Sequence, residues 1–254
     1  MLLPPRNPPS FLAQLIDLTL MQLSNFRWSW RRMAITGMLV PTANIVMLGL
    51  FNRDSGIDTL SYILVGNIVI SLMFESMGKV SSNFAFMRWV GTFNYFATLP
   101  IQRYMLVIAT LLAFALLALP ALIFIIFFGA WFLAVPLHAN PLVFLIIPLT
   151  MIPLSSLGAW LGTLAMTPDE SNAMTLVVTF FLLCLGPVLL PPDRIPDILH
   201  WVGRLSPATY AASALRQTLI GPITPQLGWD IAMLTFFAIS MTWLVSKRME
   251  WRNN

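Results

Sequence analysis

The sequence predicts an all-α integral membrane protein with six transmembrane helices. Its composition, its apolar runs and the distribution of its basic residues support that fold class. Hydrophobic residues make up 58% of the 254 residues, and charged residues make up only 9%. Soluble domains carry about 25% charged residues. A chain this apolar packs mainly against lipid, so we expect residues 1–254 to form a single transmembrane domain.

Residues 1–32 predict a proline-rich tail followed by an amphipathic helix from Ser10 to about Arg32. Its polar positions are Gln14, Asp17, Gln22 and Asn25, and its apolar positions are Phe11, Leu15, Leu18 and Leu23. Tryptophans and arginines at its end would anchor it at the lipid headgroups, parallel to the membrane surface. The alternative is that the segment is the cytoplasmic end of the first transmembrane helix.

Residues 33–254 are expected to form the six-helix bundle, because six apolar runs are long enough to be spans. Crossing the hydrocarbon core takes about 20 helical residues. The runs are Met33–Phe51, Leu60–Met77, Tyr104–Leu133, Pro141–Met166, Asn172–Leu190 and Leu227–Val245. In the fourth run, Gly158 and Gly162 form a GxxxG pattern, which predicts close helix packing, within the chain rather than in a dimer.

The basic residues predict that both termini are cytoplasmic. In that orientation most of the 14 Lys and Arg residues are cytoplasmic. The residues left outside are Arg53, Arg194, Arg204 and Arg216. The segment Leu185–Pro222 is then external.

Leu185–Pro222 is too long for a turn and too rich in proline and charge for a span. Helical spacing of its apolar residues predicts two short amphipathic helices, hinged near Pro207, that lie in the interface or dip into the membrane. Because proline disfavours the helical region for the preceding residue, the first should end near Leu205 and the second begin near Ala208. Arg216 would snorkel to the outer headgroups or bond free carbonyls at the hinge.

One polar stripe marks the second apolar run. Asn67, Ser71 and Glu75 recur every fourth residue and therefore share one helix face. An intramembrane carboxylate is a functional-site candidate, so these residues are predicted to line a transport path. The alternative is a structural, solvated ion pair between Glu75 and Lys79.

No motif for a catalytic or nucleotide-binding site occurs in the sequence. It lacks GxxxxGK[ST], GxSxG and HExxH, so we expect no enzyme activity, no metal and no cofactor on this chain. No basic cluster with interleaved aromatics predicts a nucleic-acid partner. If the function of the protein requires energy, that energy comes from an ion gradient or from a partner protein.

The loop from Lys79 to Arg103 is long and carries aromatic residues. Thr92 is predicted to cap a short helix that runs to about Leu99 and is ended by Pro100. Exposed aromatic side chains are costly in water, so the membrane surface or a protein partner should cover this helix. Its aromatic residues are Phe93, Tyr95 and Phe96.

Taken together, this order of elements resembles the permease subunit of type-2 ABC exporters, which include drug, lipid and polysaccharide exporters. The similarity covers essentially the whole chain. Its two motifs are Gly91-Thr92…Thr98-Leu99-Pro100 and Leu205-Ser206-Pro207-Ala208-Thr209-Tyr210-Ala211 with Leu215-Arg216. Acidic residues usually flank the Gly-Thr pair in the family, whereas Trp89, Val90, Phe93 and Asn94 stand there in this chain.

The resemblance implies that two permease copies or paralogues pair in a bacterial cytoplasmic (inner) membrane. Separate ABC ATPase subunits would bind ATP and Mg. The helix around Thr92–Leu99 would be the coupling helix that contacts them, and the external segment would be a broken re-entrant hairpin that shapes the exit. The coupling residues would be Gly91, Thr92, Phe93, Tyr95, Phe96, Leu99 and Pro100. The hairpin residues would be Leu205, Ser206, Pro207, Thr209, Tyr210 and Arg216.

The leading functional hypothesis is export of an amphipathic or hydrophobic molecule, such as a drug, lipid or secondary metabolite. A polysaccharide or lipid-linked glycan is the alternative substrate. Two hypotheses from other classes are an ion-coupled carrier and a non-transporting scaffold. Few intramembrane charges and the missing inverted repeat argue against the carrier.

Overall fold

The computed structural model describes residues 11–53, 55–98, 103–184, 186, 188, 201 and 203–248, and every element in them is helical. The first helices are α1 (Phe11–Asn25), α2 (Trp30–Phe51), α3 (Gly56–Leu72), a π-helix (Met73–Gly78), α4 (Lys79–Trp89) and α5 (Thr92–Ala97). They are followed by α6 (Arg103–Leu133), α7 (Val143–Leu164), α8 (Pro168–Cys184), α9 (Pro207–Leu219) and α10 (Gln226–Arg248). The all-α prediction is confirmed.

Five helices in the described part of the chain are long and apolar enough to cross a membrane. They are Trp30–Phe51, Gly56–Trp89, Tyr104–Leu133, Val143–Leu164 and Gln226–Arg248. The fifth predicted span corresponds to α8, whose 17 residues stop at Cys184. Most of its remaining residues lie outside the described ones. A sixth span therefore stays a prediction.

The predicted N-terminal helix is two helices rather than one. It ends at Asn25, the chain turns, and α2 begins at Trp30, whose N–H donates to the Phe26 carbonyl at 2.9 Å. Helix α1 packs against α6, and Gln22 is buried there, donating from Nε2 to Thr110 Oγ1 at 3.2 Å. Gln22, one of the predicted polar positions, is therefore buried, because α6 offers it a hydrogen-bond partner.

The second span does not end near Met77 as predicted. Helical structure continues through the π-helix and α4 as one 34-residue unit, Gly56–Trp89, so much of the predicted loop is helix. Residues Ile63–Leu72 of this unit are all buried, which makes α3 the centre of the bundle. Lateral packing by α7 and α8 covers the more polar α4, with Ser81 Oγ and Ser171 Oγ 2.6 Å apart.

The glycines of α7 let it pack directly on that central helix. A Cβ at Gly158 would overlap the Met77 carbonyl oxygen, and one at Gly162 would overlap that of Ser81. These are backbone atoms, which cannot move aside as a side chain can. The predicted close packing within the chain is confirmed.

The bundle has two distinct ends. Helices α1, α4 and α5 lie at one end, which we call the α5 end. At the other, the α9 end, the segment after α6 meets α9: His138 N–H donates to the Leu219 carbonyl and Asn140 N–H to the Thr218 carbonyl, both at 2.9 Å. The predicted functional residues fall at the two ends and on the central helix between them.

Candidate functional site

A glycine in the left-handed region joins α4 to α5. Gly91 has φ 79° and ψ 15°, a conformation that residues with a Cβ rarely adopt. Gly91, rather than Thr92 as predicted, occupies the N-cap of α5, and Thr92 is the first helical residue. Helix α5 ends at Ala97, and the predicted terminators Leu99 and Pro100 lie outside the described residues.

Two of the three aromatic residues of α5 point into the protein. Phe93 is 8% exposed and Phe96 is 2% exposed, and the Phe93 ring centroid lies 6.0 Å from that of Phe84. The expectation that both are exposed was wrong. Residues i and i+3 share a helix face, so burying one of these rings places the other on the same inward side.

Outward-facing apolar residues cover the opposite side of this element. Tyr95 is 58% exposed, and Trp89 and Val90 are exposed as well. We call these three residues the outer apolar patch. Large apolar side chains held at a surface are typical of contact with a protein partner or with the membrane.

Arg88 ties the end of α4 to the end of α7. Its Nη1 donates to the Thr163 carbonyl at 2.5 Å, and the Leu164 and Ala165 carbonyls lie at 3.4 and 3.5 Å. The last carbonyls of a helix have no intrahelical partner, so the guanidinium serves as a C-terminal cap for α7. Because Arg88 directly precedes Trp89, this contact holds the first residue of the outer apolar patch in position.

Asn67, Ser71 and Glu75 are all buried inside one chain. Asn67 Nδ2 donates to the Ile63 carbonyl at 2.8 Å, whereas Asn67 Oδ1, Ser71 Oγ and Glu75 Oε1 find no hydrogen-bond partner among the described residues. The three residues follow the buried side of the central helix and do not reach an outer surface. Their assignment to a transport path stays a prediction.

The ion pair between Glu75 and Lys79 forms, but it is not solvated on the Glu75 side. Glu75 is 2% exposed, and Lys79 Nζ donates to both Glu75 Oε2 and the Met33 carbonyl, the latter at 3.0 Å. Gly37 makes room for the carboxylate, since a Cβ there would overlap Glu75 Oε1. Glu75 lies on the π-helix Met73–Gly78, a distortion often found at functional sites, and Lys79 is the first residue of α4. The ion pair connects α2 to the central helix.

At the α9 end, the predicted break before Pro207 is present, whereas a hinge between two helices stays a prediction. Ser206 is extended, with φ −96° and ψ 122°, and Pro207 is the first residue of α9, one residue before the predicted start. Leu205 is exposed in the turn before it, while Tyr210 is buried and donates its hydroxyl to the Arg204 carbonyl at 2.8 Å. Most of the predicted first external helix lies outside the described residues.

Arg216 does not snorkel to the headgroups or to the hinge. Its guanidinium carbon lies 3.5 Å from the centroid of the Tyr62 ring, in the first turns of α3. An aromatic face attracts a guanidinium, which explains why the side chain turns inward. Thr209 makes a second inward contact, because a Cβ at Gly186 would overlap its Oγ1. These contacts fix α9 against the bundle.

Asp230 is a buried carboxylate that the sequence analysis missed. It is 1% exposed and accepts hydrogen bonds from Ser213 Oγ at 2.6 Å and Gln217 Nε2 at 3.1 Å. The signal was available: an acidic residue in the first turns of the last apolar run, and two polar residues four apart on amphipathic α9. Asp230 joins α9 to α10.

The structure thus brings the described coupling residues, Gly91 to Phe96, together at one end and the predicted hairpin residues together at the other. The 34-residue central helix runs between them. A family model described as ABC-2 type transporter matches residues 13–220. Among curated proteins, none matches the chain.

Proposed function

Because the chain belongs to the ABC-2 type transporter family, we propose that it is the permease of an ATP-driven exporter energised by a separate ABC ATPase subunit. Its cargo would be an amphipathic or hydrophobic molecule, taken from the cytoplasm or the inner leaflet. The described residues offer aromatic and methionine side chains suited to such a cargo. ATP and Mg would bind the partner subunit.

The observation that carries this proposal is the outer apolar patch. Trp89, Val90 and Tyr95 are exposed at the end of the central helix, while Phe93 and Phe96 anchor the same element inside. A partner that pushes on the patch would therefore move α4 and, through it, α3. The glycine contacts with α7 would carry the movement across the bundle.

The polar stripe fits this mechanism as a connection within one subunit. Lys79 bonds both Glu75 on the π-helix and the Met33 carbonyl at the start of α2. Movement of the central helix would therefore pull on α2. We propose this role for Glu75, with Ser71 and Asn67 continuing the stripe toward the centre of the bundle.

We propose further that the α5 end is cytoplasmic and that two permease copies, or this chain and a paralogue, form the transporter in a bacterial inner membrane. The excess of basic residues on the predicted cytoplasmic side supports the orientation. Helices α2 and α10 have the smallest share of buried residues in their most apolar segments among the five candidate spans. Their outer faces are free to contact lipid or the second copy.

Co-purification of the ATPase subunit tests the proposed docking surface. Combined Trp89→Ala and Tyr95→Ala substitutions should lower the yield of bound ATPase at least about tenfold, since aromatic hot spots contribute about 2 kcal/mol or more. Trp131→Ala, an exposed tryptophan at the end of α6, is the matched control. Unchanged ATPase binding by the double variant, with the chain inserted normally, would contradict the proposal.

A further inference from the structure

A cavity of about 590 Å³ opens at the α5 end between α1, α4, α5 and α6. Sites for small molecules typically enclose about 300–1,000 Å³. The cavity is distinct from the outer apolar patch, since Trp89, Val90 and Tyr95 do not line it. Thr92 and Phe96, however, place two residues of α5 in its wall.

The polar part of the wall is neutral. Gln22, Asn25, Ser82 and Asn83 supply amide and hydroxyl groups, and Lys79 is the one charged side chain among the described lining residues. The Lys79 charge is compensated by the ion pair with Glu75. The cavity therefore favours an uncharged, hydrogen-bonding head group over an ionic one. The free-energy cost of desolvating an ion would not be offset, because the described wall offers no free opposite charge.

The apolar part of the wall is aromatic and rich in methionine. The rings of Phe26 and Phe114 meet edge to face, with centroids 5.1 Å apart. Met33 and Met87 lie around the same space. Methionine is flexible and polarizable, so it adapts to ligands of different shape and contacts aromatic rings favourably.

We propose that this cavity binds an uncharged amphipathic molecule with an aromatic body, and that its occupancy regulates ATP hydrolysis through α5. A ligand in contact with Thr92 and Phe96 shifts α5 and therefore changes the position of its outward-facing side. The binding step stands on the cavity alone, whereas the regulatory step rests on the proposed function.

A second groove provides an internal comparison. It measures about 660 Å³ and lies between α6, α7 and α10, with a wall that is almost entirely apolar. Its described lining residues include no amide side chain and no residue of α5. Lipid chains suit such a wall, so we use it as the control surface.

Photolabelling with 4-hydroxybenzophenone tests binding. This probe is an aromatic ketone with one hydroxyl group, and it is uncharged below neutral pH. Irradiation of the purified full-length chain in lipid nanodiscs, followed by peptide mapping, should show saturable labelling at Met33 and Met87. Ser82→Phe fills the cavity and should lower that labelling about tenfold, a loss of about 1.4 kcal/mol. Thr235→Phe, which fills the control groove, should leave it unchanged.

Asn83→Leu keeps the side-chain volume and removes the amide, so it provides a second test if Ser82→Phe fails to fold. Losing one hydrogen bond of about 1 kcal/mol should lower labelling about fivefold. Labelling that rises linearly with probe concentration, or that is equally strong at the exposed Met47, would overturn the binding proposal.

The regulatory step is tested in the complex with the ATPase subunit. The probe should change the ATPase rate of the wild-type complex and have no effect in the Ser82→Phe complex. Saturable labelling without any change in rate would overturn regulation and leave binding intact. Failure of the ATPase to co-purify would instead count against the proposed function, because the labelling needs no partner.

Discussion

The two ends of the bundle hold their buried charges in different ways. At the α5 end, the Glu75 carboxylate is paired directly with Lys79. At the α9 end, the described residues show no direct ion pair: Arg216 lies over the Tyr62 ring, and Asp230 accepts from neutral groups.

The two arrangements predict different sensitivities to substitution. A buried carboxylate with a single cationic partner loses all its compensation when that partner is removed. A carboxylate with two neutral donors keeps one of them after a single substitution. We therefore expect the α5 end to be sensitive to single substitutions and the α9 end to be tolerant of them.

The largest effect is expected from Lys79→Met. It leaves Glu75 buried without a cation, and removing one partner of a buried pair costs roughly 3–5 kcal/mol. Thermal unfolding of the purified chain in detergent measures the loss, with the exposed Lys247→Met as control.

The double substitution Lys79→Met with Glu75→Gln sharpens this test. It removes both charges, so most of the lost stability should return. If the single and double variants lose the same stability, the ion pair is not what holds this end, and the contrast between the ends fails.

A smaller effect is expected from Ser213→Ala at the α9 end. It removes one donor to Asp230 and leaves Gln217 in place. Hydrogen bonds between membrane helices average about 0.6 kcal/mol, so unfolding should shift only slightly. Ser240→Ala, which removes a bond within a single helix, is the control. A loss as large as that of Lys79→Met would show that the α9 end also depends on a single bond.

Local sequence signals were enough to predict much of the fold. The apolar runs predicted the helices, the glycines of α7 predicted the close contact with the central helix, and Pro207 predicted where α9 begins. The continuation of the second span to Trp89 was not predictable, because apolar periodicity fades after Met77. Contacts with α7 and α8, which are distant in sequence, bury the polar side of α4.

The position of the candidate site in the chain was predicted, but the directions in which its side chains face were not. The sequence puts Phe93, Tyr95 and Phe96 on one short helix, and only tertiary packing decides that Tyr95 alone faces outward. Arg216 shows the same limit, since snorkelling is a general tendency of long basic side chains and Tyr62 is far away in sequence. Asp230 was missed because its partners lie on another helix.

Cysteine accessibility tests whether the outer apolar patch meets the ATPase while the α9 end lies on the opposite side of the membrane. Tyr95→Cys and Leu205→Cys are each made with Cys184→Ser, which removes the exposed native cysteine. An impermeant maleimide should label Leu205→Cys in intact cells and Tyr95→Cys only in inverted vesicles, where added ATPase subunit should block it. Labelling of Tyr95→Cys in intact cells would contradict this arrangement. So would labelling of Tyr95→Cys in inverted vesicles that does not fall when the ATPase subunit is added.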